Sequence, residues 1–201
     1  MKGVAKQTRL ERSDARRQQV LDAAIECFRQ RGFHAASMQE ISAAAAMSVG
    51  HIYHYFENKD AIIAAIVDQE VRQAAADFQK IGKAKDIAAA MLEFASQCFA
   101  RTMSDTHWTL SFEIAAEASR NPSVRAIVQD AQERIGLIVR ETLVKAGVAP
   151  RSRAQLDALI DVLRAMFAGL PIVAIYSPKL NQDAMLRECR RVIKFLLQPE
   201  K

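Results

Sequence analysis

"SMQEISAAAAMSVGHIYHYFENKDAI", residues Ser37 to Ile62, holds three helix starts in close succession. Ser37 and Glu40 have the spacing of a capping box, in which the serine hydroxyl accepts from the Glu40 amide while the Glu40 carboxylate reaches back. The spacing predicts a short helix over about residues 37–45. Ser48 can cap a third helix ending near Phe56, and Asn58 a fourth running to about Gly82. Upstream, Leu21, Ala24, Ile25 and Phe28 recur three and four apart, the inner face of a first helix from about Ser13 to Arg31 that Gly32 closes. A longer helix followed by two short ones across a tight connection is the outline of a helix-turn-helix.

The third helix is unusual in what it carries. Ser48 to Phe56 contains two histidines, three aromatic rings and a glycine, in a chain only 6% aromatic. On a helical wheel Ile52 and Phe56 face together, and the expectation is that they pack against Ile41 and Phe28. His51, Tyr53 and His54 then point outward, and Val49 lies nearer the inner side. His51 and His54, three apart on one helix, are spaced to share a metal ion, but no third ligand is evident and no metal site or cofactor is assigned.

The remaining sequence is also helical, with apolar residues at 3.6-residue spacing and no alternating strand pattern. Helices are expected over about 84–103 and from a Ser104 or Asp105 cap to near Ser119. Another starts at Asn121-Pro122 and closes at Gly147. The capping box Ser152 to Gln155 opens an eighth helix, which Gly169 and Pro171 should bend, and Asn181 caps a ninth. The fold class is therefore all-α, with about nine helices. The apolar run from Ala158 to Tyr176 contains Asp161, Arg164, Gly169 and Pro171, which favours a buried or interface helix over a membrane span.

A formal net charge of +5 and a pI near 9.3 suggest an anionic partner. Most of the excess lies in Lys2, Lys6, Arg9, Arg12, Arg16 and Arg17 of the first seventeen residues, with a basic arm over residues 1–12 leading into the first helix. Cys27, Cys98 and Cys189 are odd in number and far apart, which argues against a zinc site or disulfide framework and fits a reducing cytoplasm. No segment reads as a signal peptide. The hydrolase, zinc-protease and phosphate-loop motifs are all missing, so the chain is not expected to be an enzyme.

From Arg17 to Ile66 the chain resembles the DNA-binding region of the TetR family of bacterial transcriptional regulators. Ala23, Ala24, Phe28, Gly32, Ser37, Ile41, Ala45, Ser48, Gly50, Ile52, Tyr53, Tyr55, Phe56, Lys59 and Ile62 carry the likeness. Ser37 stands where the family usually has threonine, Ala46 where it usually has a turn glycine, and Val49 where a polar base-reading side chain is common. Ala46 must therefore either avoid positive φ or bear modest strain.

The resemblance implies a DNA-binding domain over residues 1–60, with a recognition helix about 48–56 in the major groove. A ligand-binding and dimerisation domain follows over 61–201. It implies DNA contact by Arg17, Ser37, Ser48, Val49, Gly50, His51, Tyr53, His54, Tyr55 and Lys59. The tyrosine hydroxyls and Lys59 suit phosphate oxygens, the imidazoles a base acceptor, Val49 a thymine methyl, and Ser37 with nearby amides a phosphate. The last two helices, with a stripe from Met185 to Leu197, are expected to form a homodimer. Phe94, Cys98, Phe99, Met103, Trp108, Phe112, Glu113, Met166 and Phe167 are expected around a small-molecule pocket. Function follows as a cytoplasmic, ligand-responsive repressor of a double-stranded operator. The alternative is a DNA-binding structural or protein-interaction factor of the same fold without an inducer.

Overall fold

The computed structural model describes residues 2–103, 107–147 and 152–197. Among them are nine helices and no strand: α1 (Lys2–Ala35), α2 (Met38–Ala44), α3 (Val49–Tyr55), α4 (Lys59–Ile81), α5 (Ile87–Met103), α6 (His107–Arg120), α7 (Pro122–Lys145), α8 (Arg153–Tyr176) and α9 (Gln182–Leu196).

The caps fall where side chains can satisfy the first amides of each helix. Ser37 caps α2, Ser48 caps α3, Ser152 caps α8 and Asn181 caps α9. Asn58 Oδ1 accepts from Ala61 N at 2.9 Å, and Asn121 Oδ1 from Ser123 N at 3.0 Å. Asp86 Oδ1 accepts from Ala89 N at 2.9 Å, so α5 starts three residues later than expected. The Ser104 and Asp105 caps expected for α6 lie outside the described residues.

One expectation about α1 is corrected. Its backbone is helical from Lys2, so the basic segment 2–12 continues the first helix instead of forming a separate arm. Helical geometry breaks at Gly32 (φ 78°, ψ 161°), where the sequence placed the end of the first helix, and a short helical piece follows to Ala35. The positive φ at Gly32 favours glycine, and a Cβ there would also press on the Glu113 carboxylate, 3.1 Å away at Oε2. α8 runs through Gly169 and Pro171 as one helix. Among the described residues it is the one helix long and apolar enough to cross a membrane by length and composition.

The chain divides into two compact units. One comprises residues 1–69 and 109–129, the other 70–108 and 130–201. Most of α6 and the start of α7 thus pack with the N-terminal helices, where the sequence reading had placed everything after residue 60 together. In the first unit α2 packs on α1 and α3 on α2. Its core contains Leu21, Ala24, Phe28, Ile41, Ile52, Phe56, Ile62 and Ile63, all buried. In the second unit α5 packs against α8 and α9 around Phe78, Met91, Ala95, Leu156, Leu159, Ile160 and Ile193. Polar ties join its helices: Arg140 Nε donates to Asp157 Oδ1 at 2.9 Å, and Arg190 donates to Ser96 Oγ at 2.5 Å.

Candidate functional site

The α2–turn–α3 segment is fixed by short-range bonds. Ser37 N donates to Glu40 Oε2 at 2.8 Å and Glu40 N donates to Ser37 Oγ at 3.2 Å, closing the capping box. The Ser37 backbone bond first, and its hydroxyl second, hold the Glu40 carboxyl below the usual glutamate value. Glu40 thereby engages the donors at Ser37 that the sequence reading offered to a phosphate. The turn that follows bends at Ala46, whose φ of 49° lies in the left-handed region. Of the two outcomes open for a non-glycine residue there, the structure takes strain, of about 1–2 kcal/mol. Bonds on both sides hold it: Ala46 N donates to Ala43 O at 3.1 Å, Met47 N to Ser42 O at 3.0 Å, and Gln19 Nε2 to Ala45 O at 2.7 Å.

The turn presents α3 with its two faces well separated. Ile52 is fully buried and Phe56 nearly so, while His51, Tyr53 and His54 are exposed. The half-buried Tyr55 ring stands 5.3 Å from the His51 ring and 5.2 Å from that of His54, so three rings form one cluster on this helix. Val49 is half-buried, on the inner side as the wheel predicts, and Ser48 Oγ accepts from His51 N at 3.3 Å. A Cβ added at Gly50 would meet nothing within 4 Å, so the protein's own packing does not require glycine. Its absence of side chain instead lowers the exposed surface of α3.

The two expected cations of the site make contacts within their own unit. Lys59 Nζ donates to the carbonyls of Phe33 at 2.5 Å, His34 at 3.4 Å and Ala36 at 2.8 Å, and sits 4.4 Å from the Phe33 ring centroid. It caps the C-terminal end of α1, where a positive charge meets the negative end of the helix dipole. Burial pulls its pKa below the ordinary lysine value, opposed by the carboxylates of Glu117, Asp60 and Glu40. Arg17 lies half-buried with its guanidinium 4.8 Å from the Phe56 ring centroid. These cations hold the recognition unit together by the contacts seen here.

Sequence reasoning missed that α6 supplies carboxylates to the same unit. Glu113 Oε2 accepts from Phe33 N at 3.2 Å. Glu117 is buried, with His34 Nε2 at 2.9 Å and Arg120 Nη2 at 3.8 Å from its Oε2; these are ion-pair distances without hydrogen-bond alignment. Contacts this far apart in sequence leave no local signal beyond the one-turn spacing of the two acids.

The second unit holds a partly open cavity of about 270 Å³. Of the residues expected around a pocket, Phe94, Cys98 and Phe167 line it. Phe99, Met103 and Met166 gather instead in a neighbouring apolar cluster with Leu170 and Cys189. Trp108 is half-buried off the wall, while Phe112 and Glu113 belong to the first unit. The wall also takes Ala74, Phe78, Met91, Ala95, Gln132, Ile135, Val139, Ile160, Leu163, Arg164 and Ile193, which the sequence reading did not single out. Burial raises the Cys98 thiol pKa, although Arg101 Nη2 donates to its sulfur at 3.2 Å. Among the described residues no group of three histidines, cysteines or carboxylates is placed to hold a metal ion.

A strained turn carrying a helix with one buried and one exposed face, in a chain whose other unit holds an apolar pocket, defines a helix-turn-helix regulator. The family description "Bacterial regulatory proteins, tetR family" matches residues 20–66, and "BetI-type transcriptional repressor, C-terminal" matches residues 88–198. The transcriptional regulator UidR of Escherichia coli (strain K12) is 32% identical over 162 residues, covering 73% of this chain and 79% of the relative. GusR of Salmonella enterica superposes with a TM-score of 0.73 at 26% identity, over 91% of this chain and 95% of that one. Bacillus subtilis FadR, solved in complex with stearoyl-CoA, superposes with a TM-score of 0.72 at 16% identity, over 88% and 96%. The chain belongs to the TetR family of bacterial transcriptional regulators, and the relatives it matches are regulators, not enzymes.

Proposed function

We propose that this chain works in the cytoplasm as a homodimeric repressor of a pseudo-palindromic operator, from which a small molecule entering the second-unit cavity releases it. The observation that carries the reading is the division of α3: Ile52 buried beneath it, and His51, Tyr53 and His54 exposed on its far side. DNA binding is assigned to residues 1–60, and effector binding and dimerisation to 61–201. Tyr53 and Tyr55 donate to phosphates and the imidazoles meet base edges, with Gly50 permitting close approach. Lys59 and Arg17 contribute chiefly by fixing the unit, Ser37 and Ser48 by capping its helices, and Val49 by packing.

Dimerisation through α8 and α9 is supported by the apolar residues they leave in solvent, among them Val162, Ile172, Ile175 and Tyr176 on α8 and Val192 and Phe195 on α9. A second copy presenting the same face would cover them in a four-helix bundle. Half-sites one duplex turn, about 34 Å, apart make operator affinity depend on the spacing of the two recognition helices. α4 begins in the first unit and ends in the second, so a cavity ligand that shifts it alters that spacing. Reversing a 1:99 population needs about 5.5 kcal/mol of difference in ligand affinity between the two states.

Selection of bound DNA from a random pool tests the proposal. It should return a two-fold symmetric site, bound with affinity that falls steeply as salt rises. An asymmetric site occupied by a monomer in sedimentation would overturn it.

A further inference from the structure

We infer that the cavity of the second unit takes an amphipathic anion, whose apolar body fills the space and whose carboxylate, or a comparable acidic head, pairs with Arg164. The inference rests on reading this cavity as the effector site.

The lining is almost wholly hydrocarbon, contributed by α4, α5, α7, α8 and α9 through residues such as Ala74, Phe94, Ile135, Leu163 and Ile193. Polar groups on the described wall are confined to Gln132, Arg164 and the Cys98 thiol. A sugar or polyol would bury hydroxyls with too few partners, each carrying a desolvation cost. A cationic ligand would find no carboxylate among the described lining residues, where the charged residue is Arg164. An apolar body ending in an anion satisfies both walls and charge.

Arg164 is suited to receive it. Its Nη1 donates to Asp161 Oδ1 at 2.7 Å and its Nη2 to the Gln132 carbonyl at a long 3.4 Å. Asp161 is exposed, one turn away on the same helix, and such a surface pair yields readily to a competing carboxylate. A guanidinium carries five donors in a planar fork that matches a carboxylate, so the two bonds leave capacity for the ligand. Because the side chain is part-exposed, the ligand's head need not be fully desolvated. The volume sets the body's size: about 270 Å³ at the ~30 Å³ share of a liquid water molecule corresponds to on the order of ten non-hydrogen atoms.

Titration calorimetry on the full chain tests this with three probes of one tail and different heads: decanoate, decanol and decyltrimethylammonium, each below micelle formation. Decanoate should bind about tenfold or more tightly than either other probe. Arg164→Gln should bring decanoate to the decanol level and leave decanol unchanged. Ala74→Leu, which fills part of the space, should weaken both, with circular dichroism reporting the fold of each variant. Equal binding of decanoate and decanol, a preference for the cation, a preference surviving Arg164→Gln, or no binding of any probe would overturn the inference. Operator release is read separately. Arg164-dependent binding of decanoate without release supports the inference and removes the effector reading. Release by a polar sugar, with no decanoate binding, overturns the inference and leaves the effector reading in place.

Discussion

Large side chains that lose essentially all solvent contact concentrate in one unit, and large apolar side chains left in solvent concentrate in the other. Phe28, Leu21, Ile41, Ile52, Ile62, Ile63, Val20 and Val124 belong to the first unit; only Leu143 and Leu170 of the comparable set belong to the second. Among exposed large hydrophobics the order reverses, with Tyr53 in the first unit and Leu137, Val144, Val162, Ile172, Val173, Ile175, Tyr176, Val192 and Phe195 in the second. A close-packed core has little freedom to deform and presents α3 at a fixed angle. A unit with a partly open cavity and an uncovered apolar face has room for a ligand and surface for a second copy. The same chain thus joins a platform to a part built to respond.

The largest test of that contrast sets two phenylalanines against each other. Phe28→Ala empties a filled core and should cost about 3–5 kcal/mol, with loss of operator binding. Phe94→Ala, half-buried beside open volume, should cost distinctly less. Urea midpoints decide, and equal costs would remove the distinction between the units. Next, Phe195→Asp places a charge on a residue 72% exposed. It should convert a dimer to monomers in sedimentation and, by loss of bivalent binding, weaken the operator complex about 10²-fold or more. An intact dimer would move the interface away from α9.

Within the first unit, Tyr53→Ala and Lys59→Ala separate reading from support. Tyr53→Ala should weaken operator binding by about 1.5–3 kcal/mol while stability stays within about 0.5 kcal/mol. Lys59→Ala, which removes the donor from the carbonyls of Phe33, His34 and Ala36, should lower stability by about 1–3 kcal/mol even without DNA. Unchanged stability would return Lys59 to the phosphate role.

The smallest effect is at the capping box. Ser37→Ala should cost about 0.5–2 kcal/mol. Because the folded-state pKa of Glu40 is depressed, its contribution is present above the ordinary value of 4.5 and is lost as pH falls through the lower folded value. Acid unfolding of Ser37→Ala should therefore show a shallower loss in that window than the parent chain.

The helix starts were legible because capping chemistry is local: Ser37 with Glu40 and Ser48 with the His51 amide act within one turn. The faces of α3 followed from the same short range, since 3.6-residue periodicity alone sends Ile52 inward and Tyr53 outward. The intramolecular partners of Lys59 were not legible because Phe33, His34 and Ala36 are more than twenty residues away and offer carbonyls, which every residue has. The cavity was legible only in part. Aromatic and methionine residues marked Phe94 and Phe167, but Ala74, Ala95 and Arg164 carry no local sign of facing a void.

By itself the sequence determined the all-α class, most helix boundaries and the inward and outward faces of α3. Each depends on bonds and periodicities that close within a few residues. Tertiary structure decided the partition of α6 and α7 between the units, the engagement of Lys59 by α1, the burial of Glu117 and the wall of the cavity. Those features arise where separate helices meet, and a void is defined by the side chains that fail to fill it.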